Sequence, residues 1–423
     1  MGAVTVPPTL PPVRTIAVAG AGWVTVGSLV ANVAAYLLHL PASRWLGPDG
    51  YGSFASLLSV QLVLAVPALA VQAVIAREVV RRRAVHELRR LARDTALAVA
   101  VLSLLVAPIA AAALHTTVLG AFAAALTAPL LVVLSGELGL LQGRAAFRLL
   151  AVALAGTALL RVSPAVVVLA VGAGPTAALV AGAAGTLLAA LAVRRMVGGG
   201  PTAGEPAVRM RWPALLGVLR ASQVQLVLIA LTSVDLLVAR GVLDDTASGL
   251  YALGAVAAKA AFWLPQAVGV VLYPQLADPV RRGRALRTAV VVLTGVGAVV
   301  VVGAAVTAPV VPVFVGGAYS GVTGVLWLFA LQGAALTVLQ SSLLSALARD
   351  RTRVAVLAWA GLVVEAATLM LVHGSVTQVV TVAATVAVVL AALTTARELG
   401  GSPTQDDPDR PLTVSRTVAP HVP

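Results

Sequence analysis

The chain returns again and again to the same pattern, a run of about twenty apolar residues, the length a helix needs to cross the hydrocarbon core of a bilayer. Twelve such runs can be traced: 15–40, 51–76, 95–114, 119–141, 149–171, 176–193, 221–238, 250–276, 288–307, 322–347, 354–372 and 376–395. Spanning strands would alternate apolar and polar residues over about ten positions. These runs are longer and continuous, so they predict helices. Of the 423 residues, only 11% are charged and 60% are apolar, and the mean hydropathy is +0.99. Such a chain cannot clothe a soluble globule. With no cysteine, it has no disulfide framework and no thiol chemistry.

The positions of the basic residues orient the helices. With the N-terminus placed inside, 25 of the 29 Lys and Arg fall in inside segments, and only Arg44 and Arg240 fall in outside loops. Arg161 and Lys259 lie within helices. This asymmetry is the positive-inside signature of an even number of spans with both termini cytoplasmic. The expectation is a multi-pass protein of a bacterial plasma (inner) membrane whose first helix is retained. The +13 formal charge is therefore read as topology, and nucleic acid is not expected as a partner. The run Arg77–Arg93 reads as an interfacial basic helix held by anionic membrane lipids, or as a docking surface for a glycan synthase.

A Gly/Pro-rich stretch, Gly198–Pro206, divides the runs six and six. The expected units are a cytoplasmic tail (1–14), an N-lobe with helices one to six (15–193), a linker (194–212), a C-lobe with helices seven to twelve (213–396) and a disordered cytoplasmic tail (397–423). An internal repeat supports the division. The first outside hairpin, SRWLGPDGYGSFAS from Ser43, and the hairpin between helices seven and eight, ARGVLDDTASGLYALG from Ala239, share Gly52 with Gly249, Phe54 with Tyr251 and Ala55 with Ala252 at an offset of 197. Parallel repeats of this kind are related by an axis along the membrane normal. Pro67 and Pro265 fall at nearly the same offset and are read as hinges or as static kinks.

The segments Ala31–Glu78, with its LGPDGYG turn at Leu46–Gly52, Leu140–Ala151 and Ser233–Asp278 resemble, in order, helices one and two, the turn from four to five, and helices seven and eight of bacterial polysaccharide biosynthesis flippases. These form the polysaccharide transporter (O-antigen flippase) branch of the multidrug/oligosaccharidyl-lipid/polysaccharide exporter superfamily. The resemblance implies an all-α fold of two six-helix lobes about a V-shaped cavity, MATE-like, related by a pseudo-twofold along the membrane normal. It also implies translocation of a polyprenyl-pyrophosphate-linked oligosaccharide from the cytoplasmic to the outer leaflet. The drug-exporting branch often carries an acidic residue in helix one; here that helix offers only Asn32.

Five ionisable residues lie inside the runs: Glu137, Arg161, Asp235, Lys259 and Glu365. Each costs at least ~2.5–3.5 kcal/mol to insert, which makes function the default reading. Arg161 stands roughly 18 Å above the inner end of helix five, near the bilayer midplane. In one reading Arg161 and Lys259 draw a pyrophosphate into the cavity, Asn32, Gln61 and Gln266 (with Gln223 and Gln332) line a polar chamber for sugar hydroxyls, and Asp235, Glu365 and Glu137 couple or gate transport. In the other, Asp235 pairs with Lys259 as a structural salt bridge fixing the hairpin, and Arg161 pairs with Glu365 or caps backbone carbonyls. No metal-ligand spacing, P-loop or nucleophile motif occurs. The chain is therefore expected to be no enzyme and to need no cofactor; any energy would come from a proton or other ion gradient, the membrane potential or downstream consumption of the product, and coupling is left open. The rival readings are a small-molecule antiporter on the same fold and a non-transporting membrane scaffold for glycan synthesis.

Overall fold

A computed structural model describes residues 13–198, 223–263, 282–347, 353–372 and 374–400. Among these residues there is no strand. The helices are α1 (Val13–Leu64), α2 (Val66–Val80), α3 (Val85–Ala113), α4 (Val118–Gly143), α5 (Phe147–Ala170), α6 (Gly174–Val197), α7 (Val234–Val242), α8 (Asp245–Trp263), α9 (Arg282–Thr307), α10 (Leu326–Leu347), α11 (Arg353–Leu371) and α12 (Val376–Gly400). Nine segments among the described residues are long and apolar enough to span a membrane. One of these, Gly22–Val80, is itself folded back.

The fold-back lies at Gly47. Its φ of 66° is open to glycine at little cost, and Pro48 restarts the helix as a first-turn proline. The two limbs of α1 are therefore antiparallel. His39 and Tyr51 make a 2.9 Å hydrogen bond across twelve residues, a separation that would be ~18 Å along a straight helix. The second limb breaks again at Ala65, and Pro67 opens α2. The interruption at Ala65 falls two residues before Pro67; its counterpart Pro265 lies outside the described residues. Helix seven departs from the expected continuous run. Its helical turns at 223–231 stop at Thr232 and Ser233, and α7 begins afresh at Val234. A short helix, Val311–Val315, lies between the expected runs 288–307 and 322–347, and the first four residues of the latter belong to a 3-10 stretch, Gly317–Val325, before α10 begins.

The two halves pack alike. The first limb of α1 lies on α5, while α2, α3 and α6 lie on α4; correspondingly α7 lies on α11, and α8, α9 and α12 lie on α10. Small residues permit the closest crossings. A Cβ at Gly139 would stand 2.7 Å from the Gln72 carbonyl oxygen, and one at Gly333 would overlap the Ala258 carbonyl oxygen. Gly333→Ala must therefore push α10 off α8. It is expected to cost about 1–3 kcal/mol, seen as a lower unfolding temperature of the purified protein in detergent.

Outward faces are apolar. On α3, Leu97, Val101, Leu105 and Ile109 form an exposed stripe at four-residue spacing, opposite buried Leu88, Ala92, Ala96, Val99 and Ala107. A water-soluble protein does not present such stripes; here lipid covers them. The chain is a multi-pass membrane protein.

Candidate functional site

Among the described residues, most hydrogen bonds between the halves lie at the face opposite the Arg-rich turns. The two repeat hairpins meet there, and equivalent residues touch each other. Thr246 Oγ1 donates to Asp49 Oδ1 at 2.9 Å. A Cβ on Gly52 would stand 3.1 Å from the Gly249 nitrogen, and one on Gly249 would overlap the Pro48 carbonyl oxygen. Both pairs carry the 197-residue offset, as expected where a twofold axis passes between the turns.

Two arginines clasp this seal reciprocally. Arg240, from the second half, donates from Nε to the Leu114 carbonyl at the end of α3 (3.0 Å) and from Nη2 to Ser53 Oγ (3.0 Å). Its Nη1 meets Ser248 Oγ and Asp245 Oδ1, each at 2.8 Å. Arg44, from the first half, donates to the Val313 and Phe314 carbonyls beyond the end of α9, at 3.3 and 3.2 Å. Each repeat thus lends a guanidinium to carbonyls of the other: Arg240 to the C-terminal end of α3, where the helix dipole favours a cation, and Arg44 to the short helix Val311–Val315 that follows α9. Tyr319 closes the layer: its hydroxyl donates to the Ser43 carbonyl at 3.1 Å. These are the two arginines that the charge count left outside. Sequence reasoning did not single them out as functional, although the repeat placed both beside the hairpin glycines.

Deeper in the membrane, Lys259 on α8 crosses between the halves. It donates from Nζ to Ser59 Oγ on the second limb of α1, at 2.8 Å. Arg161 on α5 is half-buried and has no hydrogen-bond or ion-pair partner among the described residues. Both cations act electrostatically on His39, so one region holds all three. The direct ion pairs Asp235–Lys259 and Arg161–Glu365 are not formed. Gln61 is buried two residues beyond Ser59, and Asn32 is exposed on the first limb. Gln266 lies outside the described residues.

Asp235 instead sits at the first turn of α7, just after the break. Its Oδ1 accepts from the Leu236 amide at 2.8 Å, a helix N-terminal arrangement that favours an anion. Its Oδ2 accepts from Tyr251 Oη at 2.8 Å and from Gln332 Nε2 at 2.9 Å. Glu365 on α11 is within electrostatic reach of Asp235 and Tyr251, and its Oε1 is buried with no partner. Two buried carboxylates in mutual reach repel unless a proton or cation relieves them. The helix break that offers Asp235 its amide, and the partners Tyr251 and Gln332, were not evident in the sequence.

Glu137 stands apart from this group. Arg89 grips it bidentately, at 2.8 and 2.9 Å, on the Arg-rich face. The same guanidinium donates to the Gly198 carbonyl, and Arg144 donates to the Val197 carbonyl. The trio ties α3 and α4 to the end of α6. Among the described residues, no cluster of His, Asp or Glu is arranged to hold a metal.

No protein-family model and no curated protein matches the chain. Solved structures do. The chain is similar to the lipid II flippase MurJ in an inward closed conformation, with 9% identity, a TM-score of 0.67, and coverage of 89% of this chain and 87% of that one. It is also similar to an inward-facing multidrug resistance MATE family transporter of the MOP superfamily (14% identity, TM-score 0.63, 88% and 97% covered). An outward-facing structure of a MATE family transporter of that superfamily gives 13% identity, a TM-score of 0.50, and coverage of 90% and 94%. The fold is that of the MATE and MOP transporters.

Proposed function

We propose that the chain is an alternating-access flippase for an anionic lipid-linked glycan of the polyprenyl-pyrophosphate type. The observation that carries this reading is Arg161, without a partner among the described residues and acting with Lys259 on the same His39, below a seal that joins the two repeats. A guanidinium left without a carboxylate in a membrane is costly, and a forked contact to phosphate is the use that best repays that cost. Lys259 adds a point charge from the opposite half, so an anion between them touches both lobes. Ser59, Asn32 and Gln61 offer hydroxyl and amide groups suited to sugars. The lipid tail stays in the bilayer while the head group enters between the halves.

The test is reconstitution into liposomes with a labelled lipid-linked oligosaccharide. Protein-dependent movement of the head group across the bilayer is expected; its absence with and without an imposed gradient would overturn the reading.

The carboxylates Asp235 and Glu365 supply the coupling element, exchanging a proton or small cation as the lobes move. Glu365→Gln is expected to leave slow transport that no longer responds to an imposed proton or sodium gradient. Asp235→Asn should lose more, because Tyr251 and Gln332 are then left facing an amide. An unchanged gradient response in Glu365→Gln would remove the pair from coupling. The same carboxylates favour a second reading, a small-molecule antiporter of the MATE type. It would be preferred if deleting the gene sensitised cells to cationic drugs while liposomes moved no glycan.

A further inference from the structure

His39 joins the cation site to the seal. Its Nδ1 lies 2.9 Å from Tyr51 Oη, and the two rings pack edge to face, with centroids 6.0 Å apart at 87°. Tyr51 is fully buried and packs edge to face on Tyr319 of the second half, 6.2 Å away at 83°. Tyr319 in turn reaches back to the Ser43 carbonyl in the first half. Three rings thus run from the region of Arg161 and Lys259 to the layer that holds the halves together. The groups with charge or a titratable proton that face His39 are Arg161 from α5, Lys259 from α8 and Tyr51 from its own hairpin. No carboxylate among the described residues pairs with it.

We infer that His39 is the positioning residue through which an occupied anion site loosens the seal. This rests on the reading of Arg161 and Lys259 as the anion site. In this proposal the Tyr51 hydroxyl is the donor of the 2.9 Å contact to Nδ1, which places the ring proton on Nε2, an atom without a partner among the described residues. That N–H is a donor for an anion held by the two cations. A ring drawn to the anion moves relative to Tyr51, and Tyr51 is the face on which Tyr319 rests. Packed aromatic contacts have few alternative arrangements. A shift at His39 is therefore passed on as loss of the Tyr51–Tyr319 contact.

The absence of cysteine allows a direct test. Ser43 is fully buried at the seal, so a Ser43→Cys variant of the full chain reports opening through its rate of maleimide labelling in detergent. The probe is inorganic pyrophosphate, with binding measured separately by calorimetry. Pyrophosphate is expected to raise the labelling rate about fivefold or more. In the Tyr51→Phe background, which keeps the ring but removes the hydroxyl, binding should persist and the increase should vanish. In the His39→Gln background, binding should weaken a few-fold and the increase should also vanish. If pyrophosphate binds with Arg161-dependent affinity, but labelling does not respond or responds equally in Tyr51→Phe, the relay is wrong and the anion site stands. If pyrophosphate does not bind, or binds equally after Arg161→Ala, the anion site itself is wrong and the relay falls with it.

Discussion

Arg240→Ala is expected to reduce transport at least tenfold, with the protein held open at the face it now seals. Arg240 is buried and engages four groups, two of them in the opposite half. Hydrogen bonds from a charged donor are worth about 1.5–3 kcal/mol each. Losing the two that cross between the halves shifts the balance of sealed and open forms by on the order of 3–6 kcal/mol. About 5.5 kcal/mol suffices to carry a two-state equilibrium from one extreme to the other. A transporter confined to one state does not cycle. Arg44→Ala should do less, since its contacts are longer and lie at an exposed edge. The checks are the liposome assay and the labelling rate of Ser43→Cys, which should rise in Arg240→Ala without any ligand. Wild-type transport in Arg240→Ala would show that the arginine does not govern the seal.

Arg161→Ala and Lys259→Ala are each expected to lower transport of a pyrophosphate-bearing substrate by about tenfold or more, at ~1.5–3 kcal/mol per charge-assisted contact. The loss should appear as weaker substrate binding. Arg161→Lys should recover only part, because an ammonium cannot make the forked contact. Stability separates this role from a structural one. Arg161 has no partner to lose among the described residues, and its insertion is costly. Arg161→Ala should therefore melt at the same temperature as the wild type or higher while transporting poorly. Lys259→Ala gives up the Ser59 bond and should melt slightly lower. Arg161→Ala with wild-type transport would end the anion-site reading.

The helical fold was legible because lipid imposes it. Backbone groups in hydrocarbon must bond within their own helix, so runs of apolar residues report spans directly. Breaks inside those runs were less legible. Gly47 and Pro48 announced a turn, but nothing in the residues around Thr232 and Ser233 separates a broken helix from a continuous one. The decisive groups there, the Leu236 amide and the side chains of Tyr251 and Gln332, come from three helices.

The intramembrane charges divide along the same line. That Arg161, Asp235, Lys259 and Glu365 must have purposes follows from the cost of placing charge in a bilayer, which depends only on residue type and depth. Whom each one meets does not. Lys259 turned to Ser59 rather than Asp235, Glu137 was gripped by Arg89 from 48 positions away, and Arg44 and Arg240 became clasps. What the sequence by itself determined was a helical membrane protein, the face that carries its arginines, its duplicated hairpin and which residues were too expensive to be idle. The tertiary structure alone decided the pairing of those residues, because partners in a helical bundle are chosen by the rotation and crossing of neighbouring helices, and small residues such as Gly249 and Gly333 set those crossings over distances that no local pattern encodes.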